Sequence, residues 1–136
     1  MSKETLKDVR FAKVADVMVK NVAYVDGSST VADAIKLMRE KRVSSLVVNR
    51  RAHEDAWGIL TRKDVVTKIV DPGMDPQSVK VHEIMTKPLI TVSPGLTLKY
   101  CARLMNHAGI RRAVVFDGKN IVGILSNTDI FNAVKV

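Results

Sequence analysis

Gly58-Ile59-Leu60-Thr61-Arg62-Lys63-Asp64 returns 65 positions later as Gly123-Ile124-Leu125-Ser126-Asn127-Thr128-Asp129. In both stretches, apolar strand residues run into a hydroxyl and then, three positions on, a carboxylate. The register extends outward from there. Met18, Lys20, Val25, Thr30, Leu37, Met38, Val47 and Val48 reappear 67 positions later as Met85, Lys87, Val92, Thr97, Leu104, Met105, Val114 and Val115. The offset falls from 67 to 65, so the first copy carries two extra residues, most simply in the loop at 50–56. A loop is where a duplicated structural unit tolerates an insertion. The chain reads as two copies of one module.

Each copy reads strand, helix, strand, strand, helix. In the first, residues 22–25 form a short apolar strand, followed by the turn chemistry of Asp26-Gly27-Ser28-Ser29. Thr30 and Asp33 give a capping-box-like start to a helix. Val31, Ala34, Ile35 and Met38 keep the i, i+3, i+4, i+7 spacing of one buried face. Leu98, Cys101, Ala102 and Met105 repeat that face, and Gly109 is placed to end the second helix. Residues 46–48 and 57–60 then read as paired strands, as do 113–116 and 121–125. The second pair is joined by Asp117-Gly118-Lys119-Asn120, a tight turn. The closing helices are expected to bury Val65, Val66 and Ile69 in one copy and Ile130, Phe131 and Val134 in the other. Asp71-Pro72-Gly73-Met74-Asp75-Pro76-Gln77 reads as a linker. A copy of roughly 60 residues is small for an independent core. The two are therefore expected to share one core across a pseudo-twofold axis, with paired clefts between them.

At 136 residues the chain fits one compact domain, and 46% hydrophobic residues with only 4% aromatics predict a largely aliphatic core. No stretch approaches the ~20 apolar residues of a membrane span. Residues 1–13 are polar and charged, without the apolar core of a signal peptide, and are expected to form a short helical lead. The single Cys101 excludes an internal disulfide and fits a reducing compartment, with the cytoplasm as the default. The net charge is +8, and its excess is spread over both halves with no basic tail. Such a surface favours anionic partners, from a nucleotide to a nucleic acid, or serves solubility alone.

Thr61/Asp64 and Ser126/Asp129 are the sharpest chemical feature. One reading is a capping box, in which hydroxyl and carboxylate satisfy free amides of a first helical turn. The other adds a ligand: a helix N-terminus attracts anions, a carboxylate beside it can accept both hydrogen bonds of a ribose diol, and a strand edge offers backbone groups to a base. His53, His82 and His107 lack metal-ligand spacing and have one cysteine among them. Cys101 stands where the first copy has Ala34, which points to packing. Trp57 stands at the position of Val122, at a strand start, which points to sheet packing. There is no Gly-x-x-x-x-Gly-Lys-Ser/Thr loop and no Ser/His/Asp set arranged for acyl transfer. No catalytic constellation emerges.

Taken together these residues resemble the tandem CBS domain module, named for cystathionine β-synthase and also called a Bateman module. The resemblance runs from about Val14 to Val134. Asp16-Val17-Met18 and Glu83-Ile84-Met85 precede the first strand of each copy. Val43-Ser44-Ser45-Leu46-Val47-Val48 and Ile110-Arg111-Arg112-Ala113-Val114-Val115 lead into the second, and the two Gly-Ile-Leu-Thr/Ser-x-x-Asp segments complete the set. All of them, in order and twice, are specific for the fold: α+β, two tandem CBS-type β-α-β-β-α repeats. The organisation expected is a lead at 1–13, repeat 1 at 14–70, a linker at 71–80 and repeat 2 at 81–136.

The resemblance implies a stand-alone regulatory or sensory module, not an enzyme. It would bind an adenosine-containing ligand (AMP, ADP, ATP, NAD or S-adenosylmethionine) as a regulatory effector, with no cofactor required. It also implies a homodimer formed through helices, and a regulated partner protein. In such modules each cleft takes its hydroxyl and carboxylate from one repeat and its base-facing residues from the other. Carried over, one cleft is Ala23, Val43 and Ser44 with Ile124, Ser126 and Asp129. The other is Ile90, Ile110 and Arg111 with Ile59, Thr61 and Asp64, with Arg112 nearby and Lys63 in the loop. The apolar members would sandwich the base, the aspartates hold the ribose, and the cations meet phosphate. The alternatives are a basic nucleic-acid-binding protein, against which stand the few aromatics and the lack of a nucleic-acid motif, and a structural interaction module whose clefts bind nothing.

Overall fold

The computed structural model describes residues 8–87 and 89–136. Two compact units divide the chain at Asn21 and Leu89. One is Val22–Leu89, and the other joins the chain up to Asn21 to Ile90–Val136. The units therefore cut across the sequence repeats, because each takes in the segment that precedes the other repeat's first strand.

In the Val22–Leu89 unit, β1 (Tyr24–Val25), α2 (Val31–Lys41), β2 (Ser45–Val48) and β3 (Gly58–Thr61) follow in order. β1 runs parallel to β2, and β3 pairs antiparallel on its other side, with Ser45 opposite Thr61 and Val48 opposite Gly58. β2 is buried at every position, as expected of a central strand covered on both faces. α2 starts at Thr30, whose hydroxyl accepts from the Asp33 amide at 3.1 Å, and it buries Val31, Ala34 and Met38. After β3 come α3 (Arg62–Val65) and a π-helical turn at Val66–Val70, closed by Asp71 N–H on the Val66 carbonyl. The borrowed segment carries α4 (Val81–Ile84). It is tied in by Val31 N–H to Val79 O, Val81 N–H to Ser29 O, and a two-way bridge between Ile59 and Thr86 at 2.9 Å each.

The other unit repeats the plan with β4 (Thr91–Val92), α5 (Leu98–Ala108), β5 (Arg112–Phe116), β6 (Ile121–Ser126) and α6 (Asn127–Ala133). Its sheet order is β4-β5-β6, with Arg112 opposite Ser126. Here the borrowed segment carries α1 (Val14–Val17), with Leu98 N–H on Ala12 O and a reciprocal bridge between Val19 and Ile124. Buried apolar residues form one cluster in each unit. Val79, Val81 and Ile84 join the first, and Ala12 and Val14 join the second. The two repeats share core by exchanging these segments.

The Gly-Ile-Leu glycines have a packing reason. A Cβ on Gly123 would stand 2.7 Å from Met18 Sδ and 3.0 Å from the Val19 carbonyl oxygen. One on Gly58 would stand 2.8 Å from Met85 Sδ. In both units the borrowed methionine lies against the glycine of the third strand, Gly58 opposite Val48 and Gly123 opposite Val115, so Met18 and Met85 recur in step with Gly123 and Gly58.

Several expectations need correction. Within the lead, residues 1–7 lie outside the described residues, and 9–11 form a turn closed by Phe11 and Ala12 amides on Asp8 O, with no helix. Of the apolar residues expected to be buried in the closing helices only Ile69 is; Val65 and Ile130 are half-buried, while Val66, Phe131 (77% exposed) and Val134 face outward. Val66 and Phe131 each follow a half-buried neighbour, Val65 and Ile130, by one position and so point about 100° round the helix, while Val134 lies beyond the end of α6 at Ala133.

Candidate functional site

Thr61 ends β3 and caps α3. Its hydroxyl accepts from the Asp64 amide at 3.2 Å, and Asp64 Oδ2 accepts from Thr61 N–H at 2.9 Å and the Thr61 hydroxyl at 3.0 Å. Ser126 and Asp129 reproduce this at the end of β6, with 3.1, 2.9 and 2.8 Å. Both are complete reciprocal capping boxes, so the structural reading of the Thr/Ser-x-x-Asp pair holds in each copy.

The boxes do more than end a strand. Arg62 N–H donates to the Ser44 carbonyl and Asn127 N–H to the Arg111 carbonyl, pinning each box to the residue that leads into the central strand. Val43 and Ile110 amides fold back on Met38 and Met105, closing the preceding helices. Val47 N–H donates to Ala23 O and Val114 N–H to Ile90 O, which fixes the residue ahead of the first strand. Each unit thus gathers one set at one end of its sheet: Ala23, Val43, Ser44, Ile59, Thr61, Lys63 and Asp64 in Val22–Leu89, and the matching set with Ile90, Ile110, Arg111, Arg112, Ile124, Ser126 and Asp129 in the other. Ala23, Asp64 and Ile124 are buried, Ile90 (37%), Lys63 and Arg111 are exposed, and the rest are half-buried.

One residue beside this set was missed from the sequence. Lys68 Nζ lies 3.3 Å from Asp64 Oδ1 and donates to the Ile84 carbonyl at 2.8 Å. The signal was present, because Lys68 stands four residues after Asp64 and Ala133 four after Asp129. Cys101 packs inside the second core, and burial pushes its thiol pKa up, which keeps it protonated and poorly nucleophilic. Trp57 packs against Tyr24 with ring centres 6.2 Å apart, and the Arg50 guanidinium lies over it at 5.1 Å. Among the described residues no three His, Cys, Asp or Glu side chains gather as a metal-binding group, and no helix is long and apolar enough to cross a membrane.

A family model of the CBS domain matches the chain twice, over residues 14–71 and 81–136. The chain belongs to the CBS domain family. It is 35% identical over 131 residues to the CBS domain-containing protein CBSX3, mitochondrial, of Arabidopsis thaliana, covering 89% of this chain and 64% of that protein. Two further curated relatives are matched over 62% of their length, so the chain spans under two thirds of these proteins. Among solved structures it is similar to the hexameric CBS-CP12 protein from bloom-forming cyanobacteria, with a TM-score of 0.86 and 44% identity over 89% of this chain and 67% of that one. It is similar also to an uncharacterized conserved protein from Pyrococcus horikoshii, with a TM-score of 0.78 and 30% identity over 90% and 91% of the two chains. Two tandem CBS repeats, of a family typically regulatory, account for the duplicated plan and for both Gly-Ile-Leu-Thr/Ser-x-x-Asp segments.

Proposed function

We propose that the chain is a regulatory or sensory module that binds an adenosine-containing ligand, with AMP, ADP and ATP foremost and NAD or S-adenosylmethionine in the same class. The observation that carries this reading is the doubled box at a sheet end. Asp129 uses Oδ2 to hold Ser126 and has Oδ1 to offer. A ribose diol presents two hydroxyl donors at fixed spacing, and an ionised carboxylate accepts such charge-assisted bonds well. The apolar residues beside each box suit a flat base, and Lys63, Arg111 and Arg112 suit phosphate. The ligand acts as an effector of a partner protein, with no turnover, and the working form is a homodimer in a reducing compartment.

Thermal shift and calorimetric titration with adenosine, AMP, ADP, ATP, NAD and S-adenosylmethionine test this, since a ligand of the native state must raise the melting temperature. Asp64→Ala and Asp129→Ala should each weaken one site and leave a folded protein, less stable by about 0.5–2 kcal/mol from the lost cap. Failure of every compound to bind, or two mutants indistinguishable from the parent, would sink the adenosine assignment.

A further inference from the structure

A cavity of about 600 Å³ opens in the Val22–Leu89 unit, within the ~300–1,000 Å³ of small-molecule sites. Val48 and Gly58 line it, and they are paired at the far end of β2 and β3 from Ser45 and Thr61. It is therefore separate from the Thr61/Asp64 box. The two-residue insertion shapes it. Where the second copy turns tightly through Asp117 and Asn120, with Asp117 N–H on Asn120 O, the first copy carries Arg50, Arg51, Asp55 and Ala56 around the opening.

The hydrogen-bonding inventory of the walls is weighted toward donors. Asp55 is spent: Oδ1 accepts from Lys87 Nζ at 2.6 Å and from Ala56 N–H at 3.0 Å, and Oδ2 accepts from the Arg51 backbone and Nε at 3.1 and 3.3 Å. Asp26 accepts from Asn49 Nδ2 at 2.8 Å through Oδ1 and keeps Oδ2. The donors are not spent. Arg51 has its terminal nitrogens, with the side chain 87% exposed, and Lys87 uses one ammonium hydrogen on Asp55. Arg50 gives one N–H to His53 O and is braced over Trp57. Ser28 and His82 on the facing wall add a hydroxyl and an imidazole. Arg50, Arg51 and Lys87 against Asp26 and Asp55 leave one positive charge in excess.

An occupant must therefore bring acceptors and negative charge. The donors come from three separate segments: the 50–51 loop, Lys87 beyond α4, and the turn at Gly27 and Ser28. A planar carboxylate meets one guanidinium fork, whereas a tetrahedral oxyanion offers oxygens in several directions at once. We propose that this cavity binds a small phosphate-bearing molecule at a second site, independent of the two Thr/Ser-Asp boxes. Asp55 is then the internal stand-in for the ligand. It holds Lys87 and Arg51 in position when the site is free and competes with an incoming phosphate.

Inorganic pyrophosphate titrated into the intact chain, by calorimetry and by backbone amide chemical shifts, tests the proposal. Pyrophosphate should bind and shift the amides of Gly27, Ser28, Arg51 and Gly58. Arg51→Ala should weaken binding about tenfold, the loss expected from one charge-assisted pair. Asp55→Asn should tighten binding, because it removes the competitor, whereas a merely structural Asp55 would leave affinity unchanged or reduced. Asp64→Ala and Asp129→Ala should leave pyrophosphate affinity as it was, whether or not adenosine compounds bind. The proposal is overturned by absent binding, by amide shifts centred on Thr61 or Ser126, or by Arg51→Ala binding like the parent. Citrate binding as tightly as pyrophosphate would overturn the phosphate class.

Discussion

Lys68 Nζ sits 3.3 Å from Asp64 Oδ1, whereas the residue four positions after Asp129 is Ala133. The two boxes share their geometry to within a few tenths of an ångström and differ in what their second carboxylate oxygen faces. Among the described residues no lysine pairs with Asp129 Oδ1. Asp64 presents an oxygen already matched by an ammonium that is also anchored on Ile84 O. A neutral diol must compete with that lysine. A phosphate-bearing ligand can instead draw on it.

Lys68→Ala should therefore raise the affinity of adenosine at the Asp64 site and narrow the preference for AMP over adenosine. Ala133→Lys should do the reverse at Asp129. The stability cost of Lys68→Ala should be small, about 0–1 kcal/mol, because its side chain is 43% exposed. Calorimetric titration of both nucleoside and nucleotide against the two variants reads the ratio directly, and an unchanged ratio in both would remove Lys68 from ligand selection.

Gly123→Ala should destabilise the fold by about 1–3 kcal/mol, the usual cost of overpacking. The added methyl meets a backbone carbonyl, Val19 O at 3.0 Å, as well as Met18 Sδ. In Gly58→Ala the nearest backbone atom, Thr86 O, is 3.3 Å away and the closer contact is the end of the flexible Met85 side chain. The Gly58 variant should lose less. Urea unfolding of the pair gives the order, and equal losses would show that methionine movement absorbs both clashes.

The element order, the buried face of α2 and α5 and the Gly109 helix stop were legible because each rests on local periodicity or turn chemistry. Gly109 adopts φ 68, and the equivalent Arg42 is forced to φ 56 without glycine's freedom. The exchanged segments were not legible. Val14–Val17 and Val81–Ile84 carry the same apolar pattern, so either could pack on either sheet; the bridges of Lys13 to Thr97 and Val19 to Ile124, and of Lys80 to Thr30 and Thr86 to Ile59, decide it. The outward Phe131 and Val134 misled for another reason: Phe131 adjoins Ile130, and a helix cannot turn two adjacent residues to one face, while Val134 lies past the helix end at Ala133. Asp64 and Asp129 were found because hydroxyl and carboxylate recur together. The cavity over Gly27 and Gly58 was not, because its polar groups come from three segments with no motif among them.

Thr30 and Thr97 are matched in sequence and differ in bonding. Thr30 caps the Asp33 amide, while Thr97 makes no side-chain cap and its hydroxyl is buried without a partner among the described residues. Thr30→Ala should cost about 0.5–2 kcal/mol, as a lost N-cap does. Thr97→Val keeps the shape and removes an unsatisfied polar atom, so it should be neutral or stabilising. Thermal unfolding of both variants checks this, and a clear loss for Thr97→Val would show that its hydroxyl has a partner in solution.

Acid should expose the contribution of Asp55. The hydrogen bond from the Lys87 ammonium, and then that from the Arg51 backbone N–H, hold its carboxyl well below the usual carboxylate range. An unfolded aspartate titrates near pH ~3.9. With the folded-state value below that, the stabilisation is fully present above about pH 4–5 and is lost as pH falls through the folded-state value. Asp55→Asn removes the charge at every pH. The difference in unfolding free energy between parent and variant should therefore be flat from about pH 5 to 8 and shrink below about pH 4. Added salt should lessen it, because the group borders solvent. Urea unfolding at stepped pH measures the difference. A gap that stays constant down to about pH 3 would place the value of Asp55 in its neutral hydrogen bonds, and the ion pair with Lys87 would then contribute nothing to stability.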